Sequence, residues 1–185
     1  GSALEDECGD CNGDGPDTGY DCDGGCVDAT VCGEASVSVS ATSSGATVSY
    51  SSNFDVAGFQ FSVSGVTLTG ASSGLADTQF NDGTGVVIGF DFAGGTLPAG
   101  DGVLAELSFD ETVNGGTIEL SGITVSSLES GGITLPSNDT ASADISGCDN
   151  VDCAGDCGGS ALEDDCGVCN GSNADDLGCG CFEAG

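Results

Sequence analysis

The chain has 185 residues, 31 of them Asp or Glu and none Lys, Arg or His, for a formal charge of −31. That composition removes the commonest general bases, the Schiff-base amine and every phosphate clamp, and it repels nucleic acid and anionic membrane surfaces. Trypsin has no cleavage site and lysine–asparagine isopeptide staples are ruled out. No apolar run is long enough for a membrane-spanning helix, so no membrane insertion is expected. There is no initiator Met and no signal peptide; a secreted protein loses its leader, so the chain reads as mature or partial.

Charge and cysteine divide the chain into three. Residues 1–34 hold 10 acids and five cysteines, residues 147–185 hold 9 acids and seven cysteines, and the 112 residues between hold 12 acids and no cysteine. The organisation expected is an acidic, Cys-rich calcium-binding repeat over 1–34, a β-sandwich domain over 35–146 and a second acidic Cys-rich repeat over 147–185. Twelve cysteines in C-x2-C and C-x3-C pairs fit disulfides or zinc. The absence of His and the acidic, Lys-free composition favour disulfides in an oxidising, extracellular or cell-surface setting.

In the first module, Asp10, Asn12, Asp14 and Gly15 fit the oxygen-ligand calcium loop D-x-[DN]-x-[DN]-G, and Asp21 supplies the closing carboxylate at its twelfth position. Asp10, Asn12, Asp14, the carbonyl of Pro16, water or Thr18, and Asp21 give six hard oxygens. Asp17 replaces the water or lies behind the ligands. Gly15 falls where such a loop turns sharply. With no flanking helices, the Ca2+ affinity expected is of the extracellular kind, ~10⁻⁴–10⁻³ M. These flanks resemble thrombospondin type 3 calcium repeats, with Asp10, Asn12, Asp14, Asp17 and Asp21 on the acidic positions and cysteines interleaved; Asp17 departs from that spacing by one residue.

The centre alternates apolar and small polar residues with period two. Strands are expected around Val37–Ala41, Ala46–Tyr50, Phe59–Val63, Val66–Leu68, Val86–Phe92, Val103–Phe109, Ile118–Leu120, Ile123–Val125, Ile133–Leu135 and Ala141–Ile145. Turns at Asn81-Asp82-Gly83, Pro98–Gly102 and Asn114-Gly115-Gly116 separate them. The fold class is all-β, a sandwich or jelly roll. Its outward residues are Ser, Thr and Gly, which is either surface drift or a flat face for packing against neighbouring subunits. Asp55–Val63, Val86–Phe92 and Pro98–Phe109 resemble the cohesin-type sandwich. That resemblance implies a nine-stranded jelly roll on secreted scaffolds that binds dockerins, flanked here by small disulfide-rich, calcium-binding terminal modules lacking regular structure.

The last module repeats the first. Gly159–Gly171 matches Gly1–Gly13 at all but two of thirteen positions, and Asp152–Cys157 matches Asp21–Cys26. The two kinds of cysteine pair occur in opposite order at the two ends, as in an array interrupted by the sandwich. In the second copy Val168 and Ser172 replace Asp10 and Asp14, leaving Asn170, Asp175 and Asp176; a disulfide knot is the expected role. Neither piece can build an apolar core. Because five and seven are both odd, at least one bond joins the modules or two molecules, or thiols stay free. Cys32 and Cys148 bracket the sandwich, and pairing them leaves even numbers. Such a Cys32–Cys148 staple would close a loop of more than a hundred residues and contribute about 4–5 kcal/mol. A disulfide between successive subunits is the alternative.

Asp91, Glu106 and Glu119 fall on the expected strands, and two acids suffice for glycoside hydrolysis. Without Trp or an aromatic platform they read as exposed strand acids, and no enzyme activity is expected. Asn138-Asp139-Thr140 and Asn170-Gly171-Ser172 match the glycan acceptor pattern. The function expected is a non-enzymatic extracellular structural protein, stabilised by calcium and disulfides, self-associating head to tail into a homopolymeric filament or surface layer. The alternative is an adhesion or scaffold module that binds a dockerin or carbohydrate.

Overall fold

A computed structural model describes residues 4–11, 13–23, 26–110, 112–129, 132–148, 150–174 and 181. Among them run one helical turn, α1 (Ala29–Cys32), and ten strands: β1 (Ala35–Ala41), β2 (Gly45–Ser52), β3 (Gly58–Ser64), β4 (Leu68–Ser72), β5 (Asp77–Phe80), β6 (Val86–Phe90), β7 (Gly100–Phe109), β8 (Gly116–Ser127), β9 (Ile133–Leu135) and β10 (Thr140–Ile145). No helix among the described residues is long and apolar enough to cross a membrane.

The strands form two antiparallel sheets. One has the order β1-β2-β7-β4; the other has the order β10-β8-β3-β6-β5, with β9 also paired to β8. Alternation puts Val37, Ala46, Val48, Tyr50, Phe59, Phe61, Val63, Leu107, Phe109, Ile118 and Leu120 into a single core between the sheets. The fold is therefore an all-β sandwich, because most strands have one apolar face and two such faces must cover each other. Phe59 stacks on Phe61, and a side chain at Gly89 would run into the Phe59 ring. The missing Cβ there makes room for that aromatic pair.

Two irregularities move residues from where strict alternation puts them. On β7 the inward set expected from Val103 changes phase: Val103 is 46% exposed while Leu104 and Ala105 are both fully buried. The register explains it, since Val48 faces Ala105 and Ser49 faces Val103, leaving Leu104 as the extra residue of a bulge. The segments expected at Ile118–Leu120 and Ile123–Val125 are one strand, β8. Its buried face shifts from even to odd residues at Ser121-Gly122, where Gly122 takes φ 60° and the pairing with β3 slips. The phase expected over Val86–Phe92 is reversed: on β6, which ends at Phe90, Val87 and Gly89 are buried while Val86, Ile88 and Phe90 are half-buried, and Phe92 is 87% exposed, with its ring edge-on to Phe90.

Asn138 joins the two sheets where β1 meets β10. Its Oδ1 accepts from Val37 N at 2.8 Å, and its Nδ2 donates to the carbonyls of Val37 at 2.9 Å and Thr140 at 2.8 Å. One side chain thus pairs with the backbone of edge strand β1 as a neighbouring strand would. A glycan on this nitrogen would replace one of its two N–H donors and so remove one of the bonds to Val37 and Thr140.

Candidate functional site

Each flank is built on an aspartate that gathers backbone N–H groups. Asp6 accepts from Cys8 and Asp10 through Oδ1 and from Gly15 through Oδ2, all at 2.9 Å. Asp152 accepts from Ala154 at 3.0 Å and from Asp156 and Ala161 at 2.9 Å. Asp164 accepts from Cys166 at 2.9 Å, Val168 at 3.0 Å and Asn173 at 2.8 Å. In all three the donors lie two, four and nine residues downstream.

The backbone repeats with the side chains. The N–H of Asp6, Asp152 and Asp164 donates to the carbonyl of Asp10, Asp156 and Val168 respectively, at 2.9–3.0 Å. Gly9, Gly155 and Gly167, three residues after each aspartate, hold φ of 87°, 90° and 74°, a left-handed turn that only glycine makes without strain. Isolated bridges Glu5–Cys11, Val151–Cys157 and Glu163–Cys169 close each unit, and Tyr20–Cys26 marks a fourth around Asp21, whose Oδ1 accepts from Asp23 N at 3.0 Å.

These N–H groups hold the Asp6 carboxyl below its ordinary value of 3.8, with the Asp10 N–H foremost. Asp152 and Asp164 are lowered in the same way, chiefly by the N–H groups of Asp156 and Val168. Hydrogen bonds to the charged form favour ionisation, so in a chain without basic side chains the backbone amides act as the counter-charge.

Disulfides then tie unit to unit. Cys8–Cys22 joins the Asp6 and Asp21 units, Cys153–Cys169 joins the Asp152 and Asp164 units, and Cys166 pairs with Cys181. The expected Cys32–Cys148 staple is not formed. Cys32 bonds Cys26, and Cys148 is in no disulfide, its thiol donating to the Asn150 carbonyl at 3.3 Å. The cause is local. Asp28 caps α1 by accepting from Thr30 N at 3.0 Å and Thr30 Oγ1 at 2.6 Å, and the turn carries Cys32 back to within 6.1 Å of Cys26, Cα to Cα. This turn is also a piece of regular structure in a flank read as having none.

Asn53 fastens the N-terminal module to the sandwich. Its Nδ2 donates to the Ala29 carbonyl at 2.7 Å and its Oδ1 accepts from Glu34 N at 2.8 Å. At the other end, Cys148 N donates to the Val113 carbonyl at 3.0 Å.

Asp10, Asp14, Pro16, Asp17 and Asp21, the calcium ligands expected from the loop pattern, are all exposed, and Asn12 lies outside the described residues. Gly15 does turn with φ 76°, but its N–H goes to Asp6, a residue outside the expected ligand set. Among the described residues no three His, Cys, Asp or Glu side chains converge as a metal-holding group. Asp175 and Asp176 of the second copy also lie outside the described residues. Sequence reasoning passed over Asp6, Asp152 and Asp164, although each stands five residues before the second cysteine of its pair; that fixed offset was the available signal.

The strand acids do not assemble into a hydrolytic pair. Glu106 on β7 and Glu119 on β8 are exposed residues of different sheets, and each alternates with core residues, so the sandwich lies between them. Glu106 accepts from Thr47 Oγ1 at 2.9 Å. Asp91 lies just past the end of β6, where its Oδ1 accepts from Ala93 N at 2.6 Å.

No protein-family model matches the sequence, and a search of curated proteins found no match. Among solved structures, the chain is similar to a non-cellulosomal cohesin from the hyperthermophilic archaeon Archaeoglobus fulgidus, at 16% identity and TM-score 0.45, over 61% of this chain and 91% of that one. It is also similar to a cohesin module from a Clostridium perfringens family 33 glycoside hydrolase, at 11% identity and TM-score 0.41, over 63% of this chain and 98% of that one.

Proposed function

We propose that this is a non-enzymatic structural protein of an oxidising, extracellular or cell-surface setting that self-associates head to tail into a filament or layer. The observation that carries the reading is the aspartate-centred unit, present at both ends of the sandwich and cross-linked to its neighbours there by disulfides. A repeat that is disulfide-bonded to copies of itself and is divided between the two ends of the sandwich suits a heterologous contact, in which one end of a subunit meets the other end of the next. The disulfides favour an oxidising compartment. The outer face of β1 and β2, where Ser36 pairs with Ser51, Ser38 with Ser49 and Ser40 with Thr47, presents small hydroxyl side chains that would let a neighbour pack sideways in a layer.

Calcium belongs to this reading as a stiffener. The Asp6 loop closes through backbone amides, so Ca2+ at Asp10, Asn12, Asp14, Pro16, Asp17 and Asp21 would act by neutralising carboxylates that otherwise repel. At a formal charge of −31 that repulsion opposes close approach of subunits. Electron microscopy of the native material, with and without chelator and reductant, tests the reading: filaments or sheets that shorten or soften without calcium support it. Monodisperse particles in calcium, or fibres untouched by chelator and reductant together, overturn it.

A further inference from the structure

We propose that the Asp6 unit is an acceptor site for a preceding Asp-Cys-x3-Cys unit, to which it is joined covalently through Cys11. Two separate observations identify that ligand. The first is positional: Cys11 and Cys169 both stand five residues after their aspartate, in bridges of the same kind, Glu5–Cys11 and Glu163–Cys169. Cys169 is bonded to Cys153, the first cysteine of the preceding Asp152–Cys157 unit. Cys11 is exposed and in no disulfide.

The second observation does not involve cysteine. The Asp152 carboxylate reaches forward to the N–H of Ala161 at 2.9 Å, within the linker Gly159-Ser160-Ala161-Leu162-Glu163. Residues 1–5 have that same pentapeptide sequence ahead of Asp6. The N-terminal segment therefore carries both partners that the Asp152 unit uses in the second copy: the linker that its aspartate holds and the cysteine that its first cysteine bonds. An acceptor for such a unit is the ligand chemistry both features share.

A second copy of this chain is one source of the unit, and a segment upstream in a longer chain is another. From a second copy the bond forms by thiol–disulfide exchange without an added oxidant. The Cys11 thiolate attacks Sγ of Cys153, the Cys11–Cys153 bond forms as Cys153–Cys169 breaks, and Cys169 leaves as a thiolate that takes up the proton released by Cys11. Residues 1–13 then replace the nearly identical 159–171, an exchange of like elements between protomers. This trans form rests on the polymer reading; the acceptor chemistry at Cys11 does not.

The test uses the full chain and a peptide of residues 150–158 with Cys157 replaced by Ser and Cys153 held as a mixed disulfide with glutathione. Exchange should transfer the peptide to Cys11 with release of one glutathione, read by mass spectrometry after Glu-C digestion. The Asp152→Asn peptide should transfer about tenfold less, the effect of weakening charge-assisted hydrogen bonds, and the Cys11→Ser chain should not be labelled in this segment. Equal labelling of Cys148 and Cys11, or equal transfer of the Asp152→Asn peptide, would show Cys11 to be merely an exposed thiol and overturn the proposal. An unreduced peptide map of native material distinguishes the sources: Cys11 joined to Cys153 of another copy, or to an Asp-Cys-x3-Cys peptide outside the 185 residues, supports the acceptor. Native Cys11 found as a free thiol or bonded to Cys148 of its own chain overturns it. Peptide transfer in a preparation that forms no filaments would retain the acceptor and remove the polymer.

Discussion

Three aspartates do in the flanks what cations and cores do elsewhere. Asp6, Asp152 and Asp164 each collect three N–H groups, and their pKa values lie below the ordinary 3.8. A carboxylate whose folded pKa is depressed contributes stability that is present above the unfolded pKa and lost as pH falls through the folded value. The flanks should therefore hold from neutral pH down to about pH 5 and loosen only below about pH 4. Amide exchange at Cys8, Asp10 and Gly15 should rise there while core amides of β3 and β8 stay protected; loosening that begins near pH 6 would contradict this. Asn138 acts at the same scale inside the sandwich. Asn138→Ala removes two hydrogen bonds to β1 and a local one to Thr140 and should cost about 1–3 kcal/mol, measured by urea denaturation of the full chain.

At the scale of elements, bulges decide which face a residue takes. Leu104 is buried because β7 carries one residue more than β2 opposite Val48 and Ser49. Leu104→Ala should cost about 2–5 kcal/mol, the range for emptying a core leucine site, whereas Val103→Ser should change stability by less than about 0.5 kcal/mol. If the two variants melt alike, the bulge is misplaced. Gly89→Val tests the opposite fault, since its side chain enters the space of the Phe59 ring; overpacking of this kind costs about 1–3 kcal/mol. Most of the strands were legible in the chain, since Ala46, Val48 and Tyr50, or Phe59, Phe61 and Val63, alternate without interruption. Strand β5, Asp77-Thr78-Gln79-Phe80, was not, because an edge strand held by backbone pairing to β6 needs no apolar face of its own.

On the scale of the whole molecule, two kinds of stabilisation are kept apart. The sandwich rests on apolar burial and contains no cysteine, while the disulfides among the described residues all lie in the flanks. Reduction should therefore release the flanks and leave the sandwich folded. Hydrogen exchange after dithiothreitol treatment should show fast amides over the Asp6, Asp152 and Asp164 units and unchanged protection of Phe61, Leu120 and Val125. Loss of both together would mean that the modules and the sandwich fold as one unit.

Composition and periodicity alone determined that this chain has no basic side chains for nucleic acid, that its centre is a two-layered β fold and that its ends repeat one another. Those properties are local or summed over the chain, and the pattern of side-chain types carries them. Tertiary structure decided the cysteine partners, the bulge on β7 and the aspartates that close the loops. Parity arithmetic made Cys32 and Cys148 the natural pair, but one capped helical turn returns Cys32 to Cys26. Likewise the calcium pattern drew attention to the exposed carboxylates, while the loop turned around Asp6, whose importance lies in backbone N–H groups that sequence notation does not display. A disulfide depends on where the backbone turns, and a hydrogen-bonded carboxylate on which amides converge; only three-dimensional geometry settles either.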